Sequence, residues 1–117
     1  MYTDIENPMA LNTHLQDDRF DYVILYFYMA PVQCCADTLN AIQEVSRNPR
    51  THGISFLAID LSVPDLSDVN ASFGVTKVPE LSVRGQHGGS NIRLTIGAPG
   101  DVSSALRRYC GIDLNSP

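Results

Sequence analysis

Hydrophobic positions along this chain follow first one period and then another, and the changes of period mark out its elements. From Val23 to Tyr28 the run is unbroken, apolar and aromatic, the pattern of a strand covered on both faces. Pro31 has no N–H to give to a neighbouring strand, so the strand is expected to end by about Ala30. Cys35, Thr38, Leu39, Ile42 and Val45 then recur at helical spacing, while Gln43, Glu44 and Arg47 fall on another face. The stretch from Tyr22 to Val45 therefore reads as strand, loop and helix, with two cysteines where the helix begins.

The remaining elements follow from punctuation and periodicity. Asn7-Pro8 is a capping side chain followed by a proline suited to a first helical turn, with Met9, Leu11 and Leu15 as inward positions. Asp17-Asp18-Arg19 makes a polar break before the central strand. The turn formers from Asn48 to Gly53 end the cysteine helix, and Ile54 to Ile59 reads as a second strand, parallel to the first because a crossover helix separates them. Pro64 and Asp65 open a short helix carrying Leu66, Val69 and Phe73, with Gly74 as its stop. Lys77 to Val83 is a third strand with Pro79 near its start. The glycine-rich loop from Arg84 to Ser90 leads to an alternating strand, Asn91 to Ile96, with Ile92, Leu94 and Ile96 on one face. A final helix places Val102, Ala105, Leu106 and Tyr109 against the sheet and stops at Gly111. The fold class is α/β: three layers, with a central mixed sheet of about four strands flanked by helices.

A length of 117 residues predicts a single domain over 1–117, with an N-terminal helical segment (1–20) and a short tail (112–117). With 44% hydrophobic and 18% charged residues, the chain has enough apolar surface to fold. A formal net charge of −5, with eight Lys and Arg spread along the chain, argues against nucleic acid as a partner. No apolar run nears the roughly 20 residues that span a bilayer, and no basic segment followed by an apolar one marks a secretory signal at the N-terminus. The expected setting is intracellular.

The order of elements, and the residues at their joints, resemble the thioredoxin family over nearly the whole chain. The resemblance rests on the apolar strand before the cysteine loop, Cys35 at the start of the next helix, and Asp60 ending the next strand. It rests further on Phe73-Gly74-Val75 ahead of Val78-Pro79, and on Ile96-Gly97-Ala98 before the last helix. It implies the thioredoxin fold and a cis peptide before Pro79. It also implies that a catalytic loop of the form Trp-Cys-Gly-Pro-Cys should occupy Pro31 to Cys35, and there the chain departs. Val32 stands where the nucleophilic cysteine would be, Cys35 matches the second cysteine, which resolves a mixed disulfide, and Tyr26 stands in place of a buried aspartate that assists proton transfer. Pro31 stands where the tryptophan would be, so three catalytic positions are changed together.

Each chemical candidate has a plainer alternative. Cys34 and Cys35 are the candidate redox residues, as acidic thiols in a first helical turn or as a vicinal disulfide sensor; the alternative is partly buried thiols, since a disulfide between neighbours must distort the peptide that joins them. Cys110 reads as an apolar filler, on the side of the sheet opposite the cysteine loop. Three cysteines without a CxxC pair, with His14, His52 and His87 in or beside loops, match no familiar zinc spacing, so no metal or cofactor is expected. The glycines around His87 join two strands rather than leading into a helix, which favours a hairpin over a phosphate loop. Asp60 could be catalytic, with capping of nearby backbone as the alternative.

What the resemblance leaves intact is a surface. Related domains hold extended peptides beside the cis proline and the glycine before the last helix, here Val78, Pro79 and Gly97. Tyr28, Met29, Pro31 and Val32 add an apolar patch at its mouth. The expected function is a redox-inactive module that binds a protein partner, as an accessory subunit of a larger assembly. Mitochondrial respiratory complexes and ribosomes supply the analogy, which makes mitochondria one expected location and the cytosol the other. The competing class is an atypical thiol-disulfide oxidoreductase or redox sensor using Cys34 or Cys35.

Overall fold

The computed structural model describes residues 1–17, 19–29, 33–66, 68–69, 78–85, 91–95 and 100–113, with backbone only at 33–35, 91, 93 and 95. Its strands are β1 (Tyr2–Ile5), β2 (Tyr22–Tyr28), β3 (Ile54–Asp60), β4 (Glu80–Gly85) and β5 (Asn91–Thr95). Its helices are α1 (Pro8–Leu15), α2 (Gln33–Ser46) and α3 (Gly100–Cys110), with 3-10 turns at Pro49–Thr51 and Pro64–Leu66. The strands form one mixed sheet in the order β1-β3-β2-β4-β5. β3 runs parallel to both β1 and β2, whereas β4 is antiparallel to β2 and to β5.

The unbroken apolar run of β2 is explained by its place. It pairs on both sides, and from Val23 to Tyr28 every side chain is buried. Alternation sends Ile24, Tyr26 and Tyr28 into a cluster with Ile42 of α2 and Val102, Ala105 and Leu106 of α3. Val23, Leu25 and Phe27 enter the opposite cluster with Leu11 of α1, Leu66 and Val69. The sheet is thus the middle of three layers, with α2 and α3 on one face and α1 on the other.

The joints are as their residues dictate. Asn7 caps α1, its side chain accepting a hydrogen bond from the Ala10 amide at 2.8 Å, and Pro8 opens the helix. Asn48 caps the turn after α2 in the same way, with the Arg50 amide at 2.9 Å. Gly111 takes the left-handed conformation (φ 68°) after α3, which favours a residue without a Cβ.

Two expectations change. Residues 2–5 form a strand rather than part of a helical segment, so β1 joins the four expected strands at one edge of the sheet. A four-residue edge strand needs little apolar alternation of its own because β3 supplies the partner; the Met1 ammonium donates to the Ile54 carbonyl at 2.8 Å, and the Phe56 amide to Met1 oxygen at 2.7 Å. Met9, expected inward, is 78% exposed. The eight-residue α1 buries one stripe, set by Leu11 and Leu15, and Met9 stands two residues, about 200°, round the helix from Leu11. Phe73 and Gly74, expected in the short helix after Pro64, lie outside the described residues; Asp68 and Val69 are helical.

Candidate functional site

The loop after β2 leaves the sheet beside the end of β3. There the Leu61 amide donates to the Tyr28 carbonyl at 2.8 Å. Asp60 Oδ1 accepts from the Ser62 amide at 3.0 Å and from its hydroxyl at 2.6 Å, so this strand-end carboxylate holds its own turn. α2 starts at Gln33, making Cys34 and Cys35 the second and third residues of its first turn, as the helical spacing predicts. Pro31 and Val32 lie outside the described residues. Met29, at the mouth of the loop, is 37% exposed.

Beneath the loop, aromatic rings fill the sheet. Tyr26 is 1% exposed, and its ring stacks on that of Tyr28 with centroids 5.3 Å apart and planes 8° from parallel. Tyr28 was expected to contribute to an apolar contact patch. Its side chain is 9% exposed and belongs to the core, because alternation places it on the same face as Tyr26, under α2.

The antiparallel register Phe27↔Glu80 brings the start of β4 to the end of β2 from which the loop departs. The Val78–Pro79 peptide just ahead of it is cis. Val78 is half-buried and packs against both apolar clusters, and Pro79 is buried. Met29 and the cis peptide therefore sit at one end of the molecule; Gly97, the third expected part of this surface, lies outside the described residues. Glu80 is a further residue of this end that the hydrophobic pattern does not single out. It carries a buried carboxylate oxygen at this end, on the face opposite Leu81. A charged residue directly after the proline, opening a strand whose next residue is the buried Leu81, was the available signal.

Cys110 is not on the far side of the sheet from α2. It packs against the cluster shared by α2 and α3, and what separates it from the cysteine loop is the length of the strands, for it lies beside the starts of β2 and β3. Burial pushes its thiol up to about 11, so it stays protonated at neutral pH. Of the histidines, His14 is half-buried in α1, and His52 is exposed with Nδ1 2.8 Å from the Pro49 carbonyl oxygen. His87 lies outside the described residues. Among the described residues no group of three or more His, Cys, Asp or Glu side chains is arranged to hold a metal ion, and no helix is long and apolar enough to cross a membrane.

No protein-family model matches the chain, and no curated protein does. Solved structures do. Thioredoxin O2 from Arabidopsis thaliana, in its oxidized state, superposes with a TM-score of 0.76 at 19% identity, over 92% of this chain and 93% of that one. A thioredoxin from Malassezia sympodialis gives 0.75 at 14% identity, over 93% and 90%. A redox protein from Chlamydomonas reinhardtii gives 0.81 at 12% identity; it covers 98% of this chain, which spans 37% of that protein.

Proposed function

The chain has the thioredoxin fold, and from that premise we propose that it binds a protein partner at the end of the sheet around Met29 and Val78-Pro79 without turning over disulfides. The observation that carries this reading is the Tyr26–Tyr28 stack. A dithiol mechanism in this fold uses a carboxylate beneath the cysteine helix to take the proton from the resolving thiol. That position holds a 1% exposed phenol ring packed face to face on another, with no carboxylate to take the proton. Val32 at the nucleophile position acts in the same direction, since without a first thiolate there is no mixed disulfide for Cys35 to resolve.

Binding would use what remains: the backbone beside the cis peptide, the exposed part of Met29, and the apolar residues Pro31 and Val32 of the loop. The partner in this reading is a subunit of a larger assembly, with a mitochondrial respiratory complex as the example the resemblance supplies. The second reading, a thiol redox role for Cys34 or Cys35, is favoured by one observation: both residues lie in the first turn of α2, where unpaired amides and the helix dipole stabilise a thiolate.

Reduction of insulin by dithiothreitol separates the two, run with the wild type, Cys34→Ser and Cys35→Ser. The expected result is turnover at the uncatalysed background for all three. Turnover in the wild type that disappears in one variant overturns the binding-only reading and identifies the working thiol.

A further inference from the structure

The closed sheet separates the chain's charges by sign. Asp60 ends β3 opposite Tyr28, Glu80 opens β4 opposite Phe27, and Glu6 follows β1, whose last residue Ile5 pairs with Ile59. Asp65 lies on the 3-10 turn that leaves β3, where the Val63 amide donates to the Asp60 carbonyl at 3.2 Å. Asp37 stands in the early part of α2, which starts from the cysteine loop, and Asp101 is the second residue of α3. α3 runs from there to Cys110, beside the starts of β2 and β3, so its first turn points back to the loop end. Among the described residues, every charged side chain at the loop end is acidic.

The arginines gather at the other end. Arg19 shortly precedes Asp21, whose amide donates to the Gly53 carbonyl at 2.9 Å ahead of β3, and Arg84 pairs with Val23 near the start of β2. Arg47 follows the last residue of α2, Arg50 lies on the turn before β3, and Arg107 and Arg108 belong to the last turn of α3. These are six of the eight Lys and Arg; Arg93 lies within β5, and Lys77 lies outside the described residues. Asp17 and Asp113 sit among them in ion pairs, 2.6 Å from Arg19 and 3.6 Å from Arg107. The arginine end is thus partly neutralised, and the loop end carries the excess of acid behind the formal net charge of −5.

A carboxylate that accepts from an amide or a hydroxyl, as Asp60 does from Ser62, keeps its charge and its long-range field. The exposed part of Met29 and the cis Val78–Pro79 peptide lie inside this field. A nucleic acid or an acidic peptide would be repelled from it. We infer that the segment held at this surface is an extended, basic stretch of the partner, with an apolar residue against Met29 and Val78-Pro79 and Lys or Arg on either side of it. This adds the partner's charge to the binding role proposed for the same surface, on which it rests. Complementary fields act chiefly on the rate of association, and the effect is read there.

Selection of random dodecapeptides displayed on phage, with the full chain as bait, tests this without the natural partner. Enriched peptides should be richer in Lys and Arg than the starting library and should shift the amide signals of Met29, Val78 and Glu80. Their association should slow by about tenfold between about 0.03 M and about 0.3 M salt. Glu6→Lys and Asp65→Lys should each slow it by about threefold at the lower salt; both side chains are exposed, and urea unfolding of each variant checks that the fold is intact. Peptides that shift the same signals with no excess of Lys and Arg, and associate at a rate independent of salt, overturn the inferred charge and leave the binding surface standing. Peptides that leave those signals unmoved, or no enrichment at all, remove both. Salt-sensitive self-association in sedimentation would seat the arginine end of a second copy on this surface, and overturns the basic partner.

Discussion

Replacing Tyr26 by aspartate installs the carboxylate that the resemblance to thioredoxins implies for this position, and it should nearly unfold the protein. The Tyr26 ring is 1% exposed and stacks on Tyr28 at 5.3 Å. Burying an aromatic side chain of roughly 200 Å² at about 25 cal/mol per Å² stabilises by about 5 kcal/mol as an upper bound. Measured truncations of buried aromatics cost about 3–5 kcal/mol, and loss of the stack adds about 1 kcal/mol. Aspartate then introduces a carboxyl among Ile24, Ala58 and Leu81, which adds a desolvation cost of about 1–3 kcal/mol even when the group neutralises itself. The sum exceeds about 5 kcal/mol, against a total stability for such domains of about 5–15 kcal/mol.

Urea unfolding followed by far-ultraviolet circular dichroism measures this directly, with Tyr26→Phe as the control. Phenylalanine keeps the ring and the stack and should stay within about 1.5 kcal/mol of the wild type, the scale of one hydrogen bond. The deficit of Tyr26→Asp should also grow with pH. The folded state holds the acid neutral, which raises its pKa above the unfolded value of about 3.9, so stability present below that value is lost as pH rises through the folded pKa. A Tyr26→Asp protein within about 1 kcal/mol of the wild type at neutral pH would refute the reasoning, because the aromatic stack could not then be what fills this layer.

Two further outcomes follow from single side chains. The exposed Arg19 grips the half-buried Asp17 carboxylate with its Nε at 2.9 Å and its Nη2 at 2.6 Å, and the Arg19 amide adds a bond at 3.1 Å; together they lower the Asp17 pKa from 3.8 to about 2. The folded value is the lower one, so what this pair contributes is complete above about pH 4 and is lost as pH falls through 2; a carboxyl NMR titration should show Asp17 near 2 and Arg19→Gln should move it up, and an unchanged midpoint would mean that the guanidinium is not the cause. Cys110, with its thiol near 11, should react with iodoacetamide at pH 8 far more slowly than free cysteine in a Cys34→Ser, Cys35→Ser background, and at the ordinary rate once urea unfolds the chain; fast labelling of the native protein would contradict its burial.

The sequence by itself determined most of the architecture, because the relevant signals are local. A short apolar run rich in β-branched and aromatic residues and flanked by turn formers has the pattern of a strand with neighbours on both sides, and β2 is one. Helical spacing fixed where α2 begins relative to Cys34 and Cys35, and Asn7, Asn48 and Gly111 marked ends that their side chains or backbone freedom then make. Strict alternation along β2 also required Tyr26 and Tyr28 to share a face.

Which face, and what covers it, only the tertiary structure decided. α2 and α3 lie over that face, so the two tyrosines became core instead of contact surface, and Cys110 joined the same layer at the other end of the strands. β1 was invisible for a related reason: Tyr2 to Ile5 has no periodicity of its own and is a strand because β3, more than fifty residues away, offers it hydrogen-bonding partners. The gathering of Arg47, Arg50, Arg84 and Arg107 at one end of the strands likewise joins segments far apart in sequence that only the closed sheet brings together. Local propensity is written residue by residue, whereas the choice of a covering layer and the meeting of distant side chains are decided by how the whole chain buries its apolar surface.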